Sequence, residues 1–132
     1  MISSPLTLSF DLGNTSVLEQ AWPIVTNTEA LAVSQSYFGH PGTLLDEDKD
    51  NAGSAWQVWG KPQADGGTAI MIINMMSTIQ SFTIPITAYG TGATAARHVR
   101  DIWKKKNVGV QVDGVLHAEN LAPHDSLFLL VS

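Results

Sequence analysis

The pattern of apolar and polar positions changes character near residue 37. Before that point it predicts a short strand, PLTLSF, in which Leu6, Leu8 and Phe10 fall on one side of an extended segment. A helix is predicted to begin near Ser16, and Pro23 should kink or interrupt it because proline lacks the backbone donor. The first part of the chain is therefore predicted to be one strand followed by helix.

A second helical segment follows, which Asn27 or Thr28 can cap. After residue 37 the pattern is that of short strands separated by turn residues, which predicts an antiparallel β-sandwich. The run GTAIMIINM is apolar almost throughout, as is typical of a strand covered on both faces. Asp113-Gly114 separates two further segments and predicts a tight hairpin. The predicted β-segments are GTLLDE, SAWQVWGKP, GTAIMIINM, SFTIPIT, ARHVRDIW, VGVQV, VLHAENL and DSLFLLVS.

Composition and charge exclude several classes of protein. The chain has no cysteine, which removes disulfides and thiolate chemistry. No apolar run approaches the roughly 20 residues that a membrane-spanning helix needs. Five cations lie in the segment RHVRDIWKKK, but the net charge is −5, so the acidic remainder would repel a phosphate backbone. We therefore expect no membrane span and no nucleic-acid partner.

The segment LLDEDKDNAG carries three alternating aspartates, Asp46, Asp48 and Asp50, as a calcium loop would. An EF-hand-like loop also needs glycine at its sixth position and glutamate at its twelfth, where this chain has Asn51 and Gln57. The sequence therefore favours a solvated turn between two strands. The three aspartates are kept as a calcium candidate, and no cofactor is predicted.

Five segments in order resemble the C-terminal part of the α-galactosidase and α-N-acetylgalactosaminidase family, the melibiases. SPLTLSFDLGNTS is similar to the last barrel strand and loop of that family, S-P-L-x-x-x-x-D-L-R-N-M-S. The other four segments are IVTNTEALAVSQSYFGHPG, WQVWGKPQADGGTAIMIIN, VRDIW and LAPHDSLFLLV. Gly13 stands where the family has arginine, and Ser36-Tyr37 replaces its Asp-Pro.

The resemblance implies a division into two parts. Residues 1–36 would be a strand–helix remnant of a TIM barrel, and residues 37–132 a C-terminal antiparallel β-sandwich. The family's catalytic aspartates lie on earlier barrel strands, for which this chain has no matching segment. A retaining glycosidase needs two carboxylates about 5 Å apart across the sugar, so no catalytic residue is assigned to this chain.

A single strand–helix unit cannot close a barrel of eight, so its apolar side chains need a cover. We therefore predict a docking site formed by Leu6, Leu8, Phe10 and Trp22. Its occupant would be a protein partner or the missing catalytic barrel.

Three functions stay open at this point. The first is a non-catalytic scaffold that resembles the C-terminal domain of an α-galactosidase-like glycoside hydrolase. The second is a stand-alone structural subunit of a larger complex, derived from that domain. The third is a carbohydrate-binding module that uses exposed tryptophans, although Trp56, Trp59 and Trp103 are expected to pack in the core.

Overall fold

The computed structural model describes residues 6–50, 53–85, 97–111 and 114–132. The fold is mainly antiparallel β with two short helices, as the sequence predicts. The helices are α1 (Thr15–Val25) and α2 (Thr28–Gln35). The strands are β1 (Thr43–Asp50), β2 (Gly53–Pro62), β3 (Thr68–Asn74), β4 (Gln80–Pro85), β5 (Arg97–Asp101), β6 (Lys106–Gln111), β7 (Val115–Leu121) and β8 (Ser126–Val131).

In the described residues the strands form two antiparallel sheets that share one hydrophobic core. The larger sheet has the order β1-β2-β3-β8-β5-β6, and the smaller sheet pairs β4 with β7. We call the apolar layer between the sheets the inner core. Its buried members are Val58, Ile70, Ile72, Ile84, Val99, Leu116, Ala118, Leu121, Leu129 and Val131.

Strand β3 is covered on both faces, which confirms the prediction made from its continuous apolar run. Ile70 and Ile72 point into the inner core, and neither is exposed to solvent. Ala69 and Met71 alternate with them and pack on the opposite face of the large sheet. There they belong to a second cluster, the outer core, whose buried members are Val33, Ala69, Ile102 and Phe128.

The predicted N-terminal strand is not formed in the described residues, because residues 6–10 have no β-pairing. A parallel barrel strand takes its hydrogen bonds from neighbouring parallel strands, whereas all strand pairs among the described residues are antiparallel. Helix α1 begins one residue before the predicted Ser16 and continues through Pro23. The interruption falls instead at Thr26 and Asn27, between the two helices.

The acidic stretch lies in the hairpin of β1 and β2, as predicted, but strand pairing continues beyond the predicted segment GTLLDE to Asp50, which lies opposite Gly53. Asp46 lies opposite Val58 and Asp48 opposite Trp56, so both aspartates belong to β1. This strand is at the end of the large sheet. Charged side chains on an edge strand oppose pairing with another chain, which explains why a strand can hold them here.

The predicted hairpin around Asp113-Gly114 is also wrong. Gly114 has a φ of 70°, as a turn glycine should, while Asp113 lies outside the described residues. However, β6 pairs with β5, and β7 pairs with β4 in the other sheet. A positive φ permits the chain to reverse, but burial of Leu116 and Ala118 in the inner core decides which sheet β7 joins.

Candidate docking surface

Helix α1 carries apolar side chains that the described chain does not cover. The helix has no buried residue at all. Trp22 is 51% exposed and Ile24 is 56% exposed. We call the exposed apolar side chains of residues 6–25 the docking surface. They are Leu6, Leu8, Leu12, Val17, Trp22 and Ile24.

The docking residues predicted from the sequence fall partly on this surface. Leu6 and Leu8 are exposed and precede α1, whereas Phe10 is half-buried. Trp22 lines a shallow apolar pocket together with Leu18 and Pro23. Leu12, Val17 and Ile24 are exposed as well, and they complete the surface.

Helix α2 differs from α1 because it packs on the outer face of the large sheet. Val33 is buried there against Ile102 and Phe128. The Asn27 side chain caps the helix by accepting hydrogen bonds from the backbone amides of Glu29 and Ala30, at 3.0 and 3.2 Å. Of the two caps that the sequence allowed, the structure uses Asn27.

An ion pair joins the first turn of α2 to strand β5. The Arg100 guanidinium donates through Nε to Oε2 of Glu29 and through Nη2 to Oε1, each at 2.6 Å. This two-pronged geometry is the strong form of an arginine–carboxylate contact. The hydrogen bond from Arg100 holds the pKa of Glu29 below its ordinary value, and the same bond raises the pKa of Arg100.

Two of the five cations in the segment RHVRDIWKKK form ion pairs within the fold. Arg100 binds Glu29, and Nζ of Lys104 lies 3.2 Å from Oδ2 of Asp101. No local signal along the chain indicates the Arg100 pairing, since Glu29 is 71 residues away. Only the packing of α2 on the sheet brings the two charges together.

The calcium candidates are brought only partly together. Asp46 and Asp48 lie two residues apart on β1, which places them on one face of the strand, and the Asp50 side chain is outside the described set. Asp46 accepts a hydrogen bond from the Glu47 amide at 2.9 Å. Among the described residues, no group of three or more His, Cys, Asp or Glu side chains could hold a metal ion.

Two of the four tryptophans pack on the core clusters, as expected from the sequence, and a third is half-buried. Trp56 packs on the inner core beside Phe82, with ring centroids 6.2 Å apart. Trp103 packs on the outer core beside Phe128, with centroids 5.2 Å apart. Trp59 is half-buried and donates a hydrogen bond to Gln57 at 3.1 Å. Trp22 is the large aromatic side chain that lies on the docking surface.

The described helices do not include one long and apolar enough to span a bilayer. The longer of the two, α1, has 11 residues.

Comparison with known proteins identifies relatives that are longer than this chain, and the chain matches only part of each. The chain is 26% identical over 125 residues to an α-galactosidase of Oryza sativa subsp. japonica, covering 95% of this chain and 28% of the relative. It is 25% identical over 119 residues to α-galactosidase 3 of Arabidopsis thaliana, covering 90% of this chain and 26% of the relative. The chain therefore spans less than a third of either relative.

A solved structure shows the same fold. α-Galactosidase I from Mortierella vinacea superposes with a TM-score of 0.80 at 19% identity, over 98% of this chain and 32% of that one. The family model described as the α-galactosidase C-terminal β-sandwich domain matches residues 53–131, which run from the start of β2 to the end of β8. The chain belongs to the family of α-galactosidase C-terminal β-sandwich domains.

Proposed function

We propose that this chain is a non-catalytic scaffold for an α-galactosidase-like catalytic barrel, and that its docking surface contacts that barrel. The observation that carries the proposal is the contrast between the two helices. Helix α2 packs on the sandwich, whereas α1 has no buried residue and exposes Trp22 and Ile24. Several large apolar side chains exposed along one segment are typical of an interaction site.

The length of the relatives supports this choice of partner. The rice and Arabidopsis relatives are named α-galactosidases, and this chain matches 28% and 26% of them. The unmatched part of such a protein is the occupant that we propose for the docking surface. The proposal assigns no catalytic residue to the chain described here.

The contribution of Trp22 can be worked out from its exposure. A buried tryptophan removes roughly 200 Å² from water, and Trp22 is 51% exposed, so docking can bury about half of that area. At about 25 cal/mol per Å², covering roughly 100 Å² is worth about 2.5 kcal/mol, or about 70-fold in affinity. An aspartate at this position should therefore weaken docking strongly.

The test uses the native protein that contains this chain, captured with an antibody to the chain. Hydrolysis of p-nitrophenyl α-D-galactopyranoside by the captured material is measured, together with its half-life at elevated temperature. We expect activity in the capture and none from the isolated chain. A denaturing gel then shows whether the barrel is in the same polypeptide, or is a separate one beside a 14.2 kDa band.

Paired variants separate docking from general hydrophobic loss. Trp22→Asp should release the catalytic activity from the capture, or shorten its heat half-life when both parts share one polypeptide. Val108→Asp is the control, because Val108 has a matching exposure of 52% but lies on β6, outside the docking surface. Capture without galactosidase activity, or equal behaviour of the two variants, would contradict the proposal.

A further inference from the structure

We infer that α2 is a fixed strut, fastened to the large sheet by two buried side chains, and that these side chains position the docking surface on α1. The two side chains are Asn27 at the start of the helix and Lys61 at its end. The fastening is a property of the chain itself, and the positioning role rests on the function proposed above. Neither residue lies on the docking surface.

Asn27 fastens the first end of the strut. Only 2% of this residue is exposed. While its Oδ1 caps α2, its Nδ2 donates a hydrogen bond of 2.9 Å to the carbonyl of Ile102, at the end of β5. One amide therefore both begins the helix and ties it to the turn between β5 and β6. Serine or threonine could serve the cap alone, but neither carries the amide that donates to Ile102.

Lys61 fastens the other end. This lysine lies on β2 opposite Ala69 of the outer core, and none of it is exposed. Its Nζ donates hydrogen bonds to the carbonyl oxygens of Val33 and Ser36. These carbonyls belong to the last turn and C-cap of α2, where backbone acceptors lack intrahelical partners and the helix dipole favours a cation.

The position of Lys61 is costly, which argues that it has a structural task. Burial lowers the pKa of Lys61, because removal from water disfavours the charged form. A fully buried cation in this place needs its two carbonyl partners, and those carbonyls in turn need a donor. An apolar side chain of similar length would remove the desolvation cost but leave the end of α2 unfastened.

Helix α1 is connected to this strut through two residues, Thr26 and Asn27. The backbone amide of Thr26 bonds to the carbonyl of Trp22 at 3.0 Å, and that of Asn27 bonds to the carbonyl of Ile24 at 3.2 Å. Leu18, Ala21 and Val25 of α1 are half-buried and none of its residues is buried, so we expect its orientation to depend on where α2 begins. Loosening the strut should therefore change the position of Trp22 without touching the docking surface itself.

The first experiment measures amide hydrogen exchange in the full chain. Lys61→Met should speed exchange of the backbone amides in residues 31–36 by about tenfold or more, with β3 and β8 unchanged. Lys104→Met is the matched control, since the Lys104 side chain is 73% exposed, and it should leave α2 unchanged. Asn27→Asp keeps the capping oxygen but loses the donor to Ile102, so it should also loosen α2.

Two results would overturn the fastening. One is an equal exchange profile for Lys61→Met and Lys104→Met. The other is faster exchange spread evenly over α2, β3 and β8, which would mean a general loss of stability rather than release of one helix.

The second experiment measures the galactosidase activity of the native protein and the half-life of that activity at elevated temperature, as above. Lys61→Met should weaken docking, although it leaves the docking surface intact. If Trp22→Asp weakens docking but Lys61→Met does not, positioning by the strut is wrong and the proposed function stands. If neither variant changes docking, the proposed function fails and the positioning role fails with it, while hydrogen exchange still decides whether α2 is fastened.

Discussion

Asn74 connects the two sheets of the sandwich through buried hydrogen bonds, and its removal gives a quantitative test of how they are held together. It ends strand β3, and none of it is exposed. Its Nδ2 lies 3.1 Å from the carbonyl oxygen of Leu121, in β7 of the smaller sheet, and 2.9 Å from that of Ala122. The same nitrogen is 2.9 Å from the carbonyl of Thr78, and Oδ1 accepts from the amide of Met76 at 2.9 Å.

Asn74→Ala removes two donor hydrogens and one acceptor from a site that water does not reach. Each net hydrogen bond is worth about 1 kcal/mol, and leaving buried partners unsatisfied raises that cost. The expected loss is therefore about 3 kcal/mol of unfolding free energy. For a chain of 132 residues this corresponds to a fall in Tm of about 12 °C.

The assay is urea unfolding followed by tryptophan fluorescence, with the slope m compared between variants. Gln80→Ala is the control, because Gln80 makes an exposed amide hydrogen bond to the hydroxyl of Thr78 in the same region. We expect that control to cost less than about 0.5 kcal/mol. If Asn74→Ala costs no more than Gln80→Ala at equal m, the sheets are not held together through Asn74 and the reasoning is wrong.

Asn74→Asp separates the donor from the acceptor. The carboxylate keeps an oxygen for the Met76 amide but faces three carbonyls without a hydrogen to donate. At neutral pH it should therefore destabilise the domain more than alanine does. Acidification should narrow the difference as the carboxyl gains a proton and can donate.

Three further predictions concern single buried or paired side chains. Ile72→Ala in the inner core, where Ile72 has no exposure, should cost about 3 kcal/mol in urea unfolding, and Ile72→Val about 1 kcal/mol. The Arg100 contact lowers the pKa of Glu29, so the stability difference between wild type and Glu29→Gln should be constant above the ordinary value of 4.5. It should fade as pH drops through the lowered pKa. Burial lowers the pKa of Lys61, so the wild type should gain unfolding free energy relative to Lys61→Met as pH rises from that lowered pKa to 10.5. A stability difference that does not change over this pH interval would contradict the burial of a charged amine.

Local signals in the sequence were sufficient for most of the elements, although not for the predicted N-terminal strand. The alternation and turn residues predicted the sandwich, and the apolar run in β3 predicted its burial on both faces. Asn27 was recognised as a possible cap because its side chain acts on amides two and three residues away. Leu6, Leu8 and Trp22 are exposed in the described part of the chain, and their role in docking stays a prediction.

The errors arose where the outcome depended on a distant partner. Asp48 and Asp50 look like turn residues by composition, but their pairing with β2 places them in a strand. Asp113-Gly114 signals a chain reversal, yet the reversal does not specify which strand will pair with β7. Propensity describes a residue and its neighbours, whereas strand pairing is decided by which apolar faces can be buried together.

The sequence by itself determined the class of fold, the family resemblance and the apolar character of the segment before and within α1. Only the tertiary structure decided the sheet order, the Glu29–Arg100 pair and the burial of Lys61 beneath α2. Lysine in a strand ordinarily predicts an exposed position, because burying its charge is unfavourable. Here the unpaired carbonyls at the end of a helix supply the partners, and they reach Lys61 from 25 and 28 residues away along the chain.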